Sequence, residues 1–365
     1  MLVAPSAMAA TAYSDRAVEL VKNTQVIDML GVLTVSDKYE NEFLAKPSLF
    51  DEKEIAKIRA SGINVFHNAI GIGGPNAFED VLHYFGAWNG FIADHDEAFM
   101  RVDSIDDLDR LLNSKKAGLI LGLQNSEHFR TVDDIDLFYG LGQRVSQLTY
   151  NSQNRLGAGA TERVDGGISD FGAAVIERMN NIGMAVDVSH CGDRTTLDAF
   201  EISKNPVLIT HSNCRALVPG HPRLKTDEAI QAMAKNGGVI GITAVRMFVR
   251  EKEPTNVEHV VDHVDHVVKL VGIEHVGVGT DSDLDGYDDL PADEYDELKS
   301  AYKGSYAFRD KIDTDGMDHP RKIFDLTSSL IRRGYDDTEI NAILGGNFRR
   351  VLAKIWKDQP QSQGS

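Results

Sequence analysis

The sequence predicts a single α/β domain built as a (β/α)8 barrel of the TIM type, on three observations. Eight short runs rich in β-branched residues recur along the chain, amphipathic helical stretches separate them, and polar residues stand where most of the runs end. Such alternation signals parallel βα units, and eight parallel strands close a barrel whose chemistry sits at the C-terminal strand ends.

The runs fall at 25–30, 63–68, 119–124, 145–150, 185–189, 207–211, 239–243 and 276–281. Helical periodicity is plain over 131–139, 171–182, 195–203, 227–236 and 257–270. Ser169-Asp170 and Thr226-Asp227-Glu228 are polar starts of the N-cap kind. After the eighth run, 281–318 is an acidic stretch with glycine and tyrosine, read as a long loop with a short helix over the barrel mouth. A last helical region ends around Trp356. The barrel domain is therefore placed at 21–357, with 1–20 as an N-terminal segment and 358–365 as a polar tail. Residues 1–10 are apolar and end in small residues, like the tail of an export signal, but carry no basic start. The compartment stays open between export to the periplasm or medium and the cytoplasm.

Composition narrows the function. The apolar share of 42% and charged share of 26% are those of an ordinary globular protein. A net charge of −18 argues against nucleic acid and anionic membranes, which ask for clustered lysine and arginine. No apolar run reaches the roughly 18–20 residues that span a bilayer. The two cysteines, Cys191 and Cys214, read as buried thiols and not as a disulfide framework.

The strand ends carry Asp28, His67, Gln124 with Asn125, Tyr150 with Asn151, Asp187 with His190, His211, and Asp281. A purely structural barrel does not need so many polar groups at one mouth. Two imidazoles from adjacent strands, His190 and His211, with the Asp281 carboxylate across from them, can hold a zinc-like cation with an open position. His259, His263 and His266 share one helical face, read as partly exposed, and Gly71-Ile72-Gly73-Gly74 as a turn without the context of a phosphate loop.

Several segments, in order, resemble the membrane (renal) dipeptidase family of zinc peptidases. They are Asp187-Val-Ser-His190, Pro206-Val-Leu-Ile-Thr-His211-Ser-Asn-Cys-Arg-Ala-Leu217, His221-Pro-Arg223, Gly237-Gly-Val-Ile-Gly241, His275-Val-Gly-Val-Gly-Thr-Asp281 and Ile343-Leu-Gly-Gly-Asn-Phe348. The likeness runs from about Val26 to Leu352. It implies an amidohydrolase-type barrel of the metal-dependent hydrolase kind, a bridged two-zinc site and a homodimer. It further implies that His190 and His211 hold one metal, that Asp281 passes a proton to the leaving amine, and that Arg223 grips a substrate carboxylate.

The sequence departs from that pattern at one place in the site. Where the family has a His-x-Asp pair after the first strand, Leu30 and Val32 stand; where it has a metal-bridging glutamate, Gln124 stands; and Tyr150 replaces a histidine common in relatives. A neutral amide brings no negative charge to two dications. The sequence thus predicts one zinc per chain, with Glu127, His128 and His67 as the nearest candidates to replace lost ligands. In this reading Tyr150 or Gln124 steadies an oxyanion, and Asn125 and Asn151 join Arg223 as substrate contacts. The activity expected is hydrolysis of an amide-type bond in a small carboxylate-bearing molecule. Two other classes compete: a metal-independent lyase or isomerase using Asp281 and a histidine, and a binding homologue without turnover.

Overall fold

Parallel strands covered by helices bury both faces, so their sequences run apolar throughout. The segment Ala117–Leu123 is buried at all seven positions. In the computed structural model, which describes residues 13–356, nine strands form. These are β1 (Ile27–Asp28), β2 (Val65–Ile70), β3 (Phe99–Arg101), β4 (Ala117–Leu123), β5 (Gln143–Gln147), β6 (Ala185–Asp187), β7 (Ile209–Ser212), β8 (Ile240–Ile242) and β9 (Val276–Val278).

The path is β6-β5-β4-β2-β1-β9-β8-β7, with every pair parallel. It closes between β6 and β7 through the Asp187–Leu208 bridge, where Leu208 N–H donates to Val186 O at 2.8 Å and Val188 N–H to Leu208 O at 3.0 Å. The eight-stranded (β/α)8 barrel is the architecture the sequence predicts. β3 is additional. It lies off the ring, pairs with β4, and is too short for its period to stand out in the sequence.

The helices Asp170–Ile182 and Asp227–Asn236 begin where expected, with Ser169 and Thr226 accepting from Gly172 and Ala229 N–H as N-caps. The helix expected at 131–139 is shorter, Asp134–Gly140. Its first turn is displaced because the Asp134 carboxylate accepts from Arg130 N–H at 2.8 Å and Thr131 N–H at 3.0 Å, tying those residues into a turn. Residues 281–318 contain the helix Ala292–Ser300 and send Tyr302, Tyr306 and Phe308 toward the barrel mouth. Residues 1–12 and the polar tail at 358–365 lie outside the described residues, while Asp15–Asn23 forms a helix that buries Ala17, Leu20 and Val21.

At the other end, Ile27, Val65, Ile120 and Val145 pack with Phe348, Val351 and Leu352 of the C-terminal helix Asn347–Ile355. A Cβ on Gly345 would stand 2.0 Å from Gln25 O, so only glycine lets this segment approach β1. Cys191 and Cys214 are free, buried thiols. The three helical histidines do not share one partly exposed role. His259 caps its own helix, His266 pairs with Asp227 at 2.8 Å, and His263 is fully buried between Cys214 N–H and Val249 O. At the glycine turn, Gly74 N–H donates to the Glu127 carboxylate at 3.1 Å, so an acidic group occupies the position a phosphate would need. Among the described residues no helix is long and apolar enough to cross a membrane.

Glu40 is buried and accepts from Trp88 Nε1 at 3.0 Å. Desolvation pushes its pKa from 4.5 up to about 7. The folded chain then binds a proton that the unfolded chain has released, so stability falls as pH rises from about 4.5 to 7. Glu40→Gln keeps the acceptor and removes the charge. It is expected to raise stability at pH 8 by about 1–3 kcal/mol and to change little at pH 4. Urea midpoints at the two pH values check this, and an equal gain at both would contradict it.

Candidate active site

The site begins with Asp187, buried at the end of β6. Its carboxylate accepts from Ser189 N–H (3.0 Å), Ser189 Oγ (2.6 Å), Thr210 N–H (3.0 Å) and Thr210 Oγ1 (2.7 Å). Asp187 is therefore a clamp between two strand ends. Gly241 and Gly279 let neighbouring backbone close on Thr210, since a Cβ on either would stand 2.0 Å from Thr210 O.

This clamp fixes a tautomer. The Thr210 hydroxyl has one proton and gives it to Asp187, so its oxygen accepts from His211 Nδ1 at 2.8 Å. On the other ring, His190 Nδ1 donates to Asn151 Oδ1 at 2.9 Å. The Asn151 amide in turn hydrogen-bonds the Tyr306 phenol. Gln147 accepts from His190 N–H at 3.2 Å and is held through Thr149 O. Both imidazoles thus carry their proton on Nδ1. Their bare Nε2 atoms face each other 2.9 Å apart.

Two lone pairs at that distance repel unless a cation lies between them. Burial, reinforced by the charge of Arg223, holds both rings well below the ordinary imidazole range, so a shared proton is disfavoured. A cation placed between the two nitrogens would satisfy the pair. Two Zn–N bonds of about 2.05 Å at a tetrahedral angle separate their nitrogens by roughly 3.3 Å, a few tenths more than here.

Asp281 follows β9 with φ 59, a left-handed conformation that non-glycine residues seldom adopt without a local reason. Its N–H donates to Leu30 O at 2.8 Å. Burial pushes its carboxyl up to about 7, the Arg223 charge pulls it down, and Asp28 adds to the rise. Asp28 itself is structural, accepting from Thr280 N–H (2.8 Å) and Oγ1 (2.6 Å). Arg223 is fully buried, its Nη1 and Nη2 donating to the carbonyls of Ser189 and His211. Its Nε has no partner. The guanidinium is thereby fixed between the two strand ends, and its charge is felt at His190, His211 and Asp281.

The Tyr150 ring stacks on His190, centroids 4.2 Å apart, and its hydroxyl meets Tyr302 Oη at 2.8 Å. Gln124 donates through Nε2 to Ala69 O at 2.9 Å. With Asp281 these two line a cavity of about 80 Å³ roofed by Tyr287, Tyr302, Tyr306 and Phe308. Asn125 accepts from Asn154 and reaches Glu127, so its amide serves the loop, while Asn151 serves His190.

At the position expected to lack a metal, two aliphatic residues stand among polar ones. Leu30, Val32 and Gln124 line a larger chamber of about 590 Å³ beside the cavity. Among the described residues no group of three His, Cys, Asp or Glu converges to hold a metal. Glu127 sits on Gly74 N–H. His128 packs against Phe129 and Phe138 with burial lowering its pKa to about 3. His67 lies inside the barrel with Nδ1 on Met29 O and Nε2 unpartnered, against Gly122. The donors that meet here are His190 and His211, with Asp281 lining the same cavity as His190.

Gln147, Thr210, Tyr302 and Tyr306 escaped the sequence reading. Gln147 had a signal, a polar residue inside a buried strand, whereas Tyr302 and Tyr306 reach the site only through the course of a long loop. Asn151→Leu removes the acceptor that fixes His190 and is expected to weaken cation binding 10–100-fold. Competition with a chromophoric zinc chelator measures this, and unchanged affinity would refute the tautomer assignment.

A family model described as membrane dipeptidase (peptidase family M19) matches residues 14–303. Dipeptidase verJ of Clonostachys rogersoniana is 36% identical over 220 residues, covering 60% of this chain and 50% of that protein. An uncharacterized dipeptidase of Schizosaccharomyces pombe is 27% identical over 365 residues, covering 92% and 82%. The crystal structure of an amidohydrolase from Pseudomonas aeruginosa superposes with TM-score 0.79 at 26% identity, covering 93% of this chain and 99% of that one. The chain spans about half the length of several curated relatives it matches.

Proposed function

The chain belongs to the membrane dipeptidase family, and from that premise we propose that it is a hydrolase of an amide-type bond in a small carboxylate-bearing molecule, working with one zinc ion. The observation that carries this reading is the pair of bare Nε2 atoms on His190 and His211, 2.9 Å apart in rings held neutral. Those two residues hold the ion. When bound, it supplies positive charge that polarises a carbonyl and acidifies water.

The chain's own groups do the rest. The buried charge of Arg223, felt at both histidines and at Asp281, draws the substrate carboxylate toward that side of the mouth and so sets the scissile bond beside the histidines. Asp281 accepts a proton from the attacking water as the new C–O bond forms. It returns that proton to the amine nitrogen as the C–N bond breaks. The second N–H of Gln124 Nε2, and the Tyr150 hydroxyl once it leaves Tyr302, donate to the developing oxyanion. The aromatic roof excludes bulk water, which strengthens each of these interactions.

Exhaustive chelation followed by zinc titration tests this on a panel of dipeptides and N-acyl amino acids. Activity is expected to vanish and to return at one equivalent per chain. Activity that survives chelation, or that saturates only at two equivalents, overturns the proposal. Asp281→Asn is expected to lower kcat by roughly 10²–10⁴ while zinc uptake stays as in the parent chain.

A further inference from the structure

The histidine end of the mouth is closed off. His190 and His211 are buried, and the cavity against His190 holds about 80 Å³. Pockets that enclose a small molecule measure roughly 300–1,000 Å³. The chamber beside it holds about 590 Å³, and its rim at Asp37, Lys38 and Glu297 is exposed. Gln124, Tyr150, Asp281, Tyr287, Leu298 and Tyr302 line both spaces and so form the neck between them. Across that neck the hydroxyls of Tyr150 and Tyr302 meet at 2.8 Å.

The two sides of this contact are held unequally. Tyr150 stacks on His190 at the end of a barrel strand. Tyr302 lies on a span whose ends are tied down. At one end the Asp288 carboxylate accepts from Ile312 N–H at 3.0 Å, and Asp288 N–H donates to the Asp313 carboxylate at 2.7 Å. At the other, Tyr306 packs on Phe248 and its carbonyl meets His221 Nε2 at 3.1 Å. Between them, the helix Ala292–Ser300 buries no residue. It turns Glu294 and Glu297 toward Asp37, whose carboxyl is raised by burial and then by those two like charges. Ser36 Oγ donates to Glu294 at 2.6 Å, and Lys303 Nζ to Thr161 O at 2.9 Å. Few buried apolar contacts and a like-charged face are the marks of a segment that opens at low cost.

We propose that Tyr150 and Tyr302 form a gate: their hydroxyl contact holds the span 291–303 across the neck, and its release opens the way from the outer chamber to His190 and His211. Tyr302 is the moving side, because Tyr150 is fixed against the histidine ring. The gate governs access whatever reaction follows, so it does not depend on the hydrolase reading.

Thiol labelling of the full-length chain measures the gate without any reaction. Val245→Cys places a thiol on the inner cavity and Val32→Cys one on the outer chamber. A small methanethiosulfonate reagent is expected to label Val32→Cys quickly and Val245→Cys at least about tenfold more slowly. Tyr302→Phe, added to Val245→Cys, removes one hydrogen bond and is expected to speed labelling about two- to tenfold. Tyr302→Ala, which also clears the ring from the neck, is expected to speed it further. Neither is expected to alter the rate at Val32→Cys. Ile312→Cys, on the same inner cavity, serves as a second reporter should Val245→Cys fold poorly. The buried thiols Cys191 and Cys214 are expected to stay unlabelled throughout, which separates an open gate from an unfolded chain. Equal rates at the inner and outer positions in the chain with Tyr302 intact overturn the gate. So does an inner rate that neither Tyr302 variant raises, or one that rises only in step with labelling of Cys191 and Cys214.

Discussion

Two imidazole nitrogens with their lone pairs turned on one another demand a positive charge between them, and the barrel mouth is organised around that demand. The arrangement costs free energy in the absence of a cation. It persists because each ring is fixed from behind, His211 by the Asp187–Thr210 relay and His190 by Asn151. Such outer contacts set which nitrogen is free and how the ring is aimed. Arg223 adds a second constraint, because its buried charge makes protonation of the rings unfavourable.

The mouth is divided. Beyond β6 and β7 lie the hydroxyls, the clamp and the guanidinium; beyond β1 and β2 lie leucine, valine and isoleucine. Leu30, Val32 and Gln124, which stand where the family pattern has ligands, bring no negative charge to this side, and its acidic groups other than Asp281 are Asp37, Glu40, Glu294 and Glu297. The one carboxylate facing both spaces is Asp281, held in a left-handed backbone conformation with a pKa near neutrality, which suits a group that takes and returns a proton.

Much of this was legible in the sequence, because barrel strands are short buried runs and the segments around His190, His211 and Asp281 are distinctive. The eight-stranded ring follows from those runs. β3 did not show itself, having only three residues between helices. That Leu30, Val32 and Gln124 stand where the family pattern has ligands could be read residue by residue. The roles of the asparagines could not. Asn151 was expected against substrate, but it lies behind His190, and a sequence does not say on which side of a ring an amide falls. Likewise Tyr150 was expected to face an oxyanion, and its hydroxyl meets Tyr302, a residue brought in from more than a hundred positions away.

The central claim concerns how many ions the mouth holds and where. Anomalous diffraction at the zinc absorption edge, on crystals grown with excess zinc, addresses it directly. One peak between His190 Nε2 and His211 Nε2, with none beside Leu30, is the predicted result. Two fully occupied peaks joined by a bridging carboxylate would contradict it.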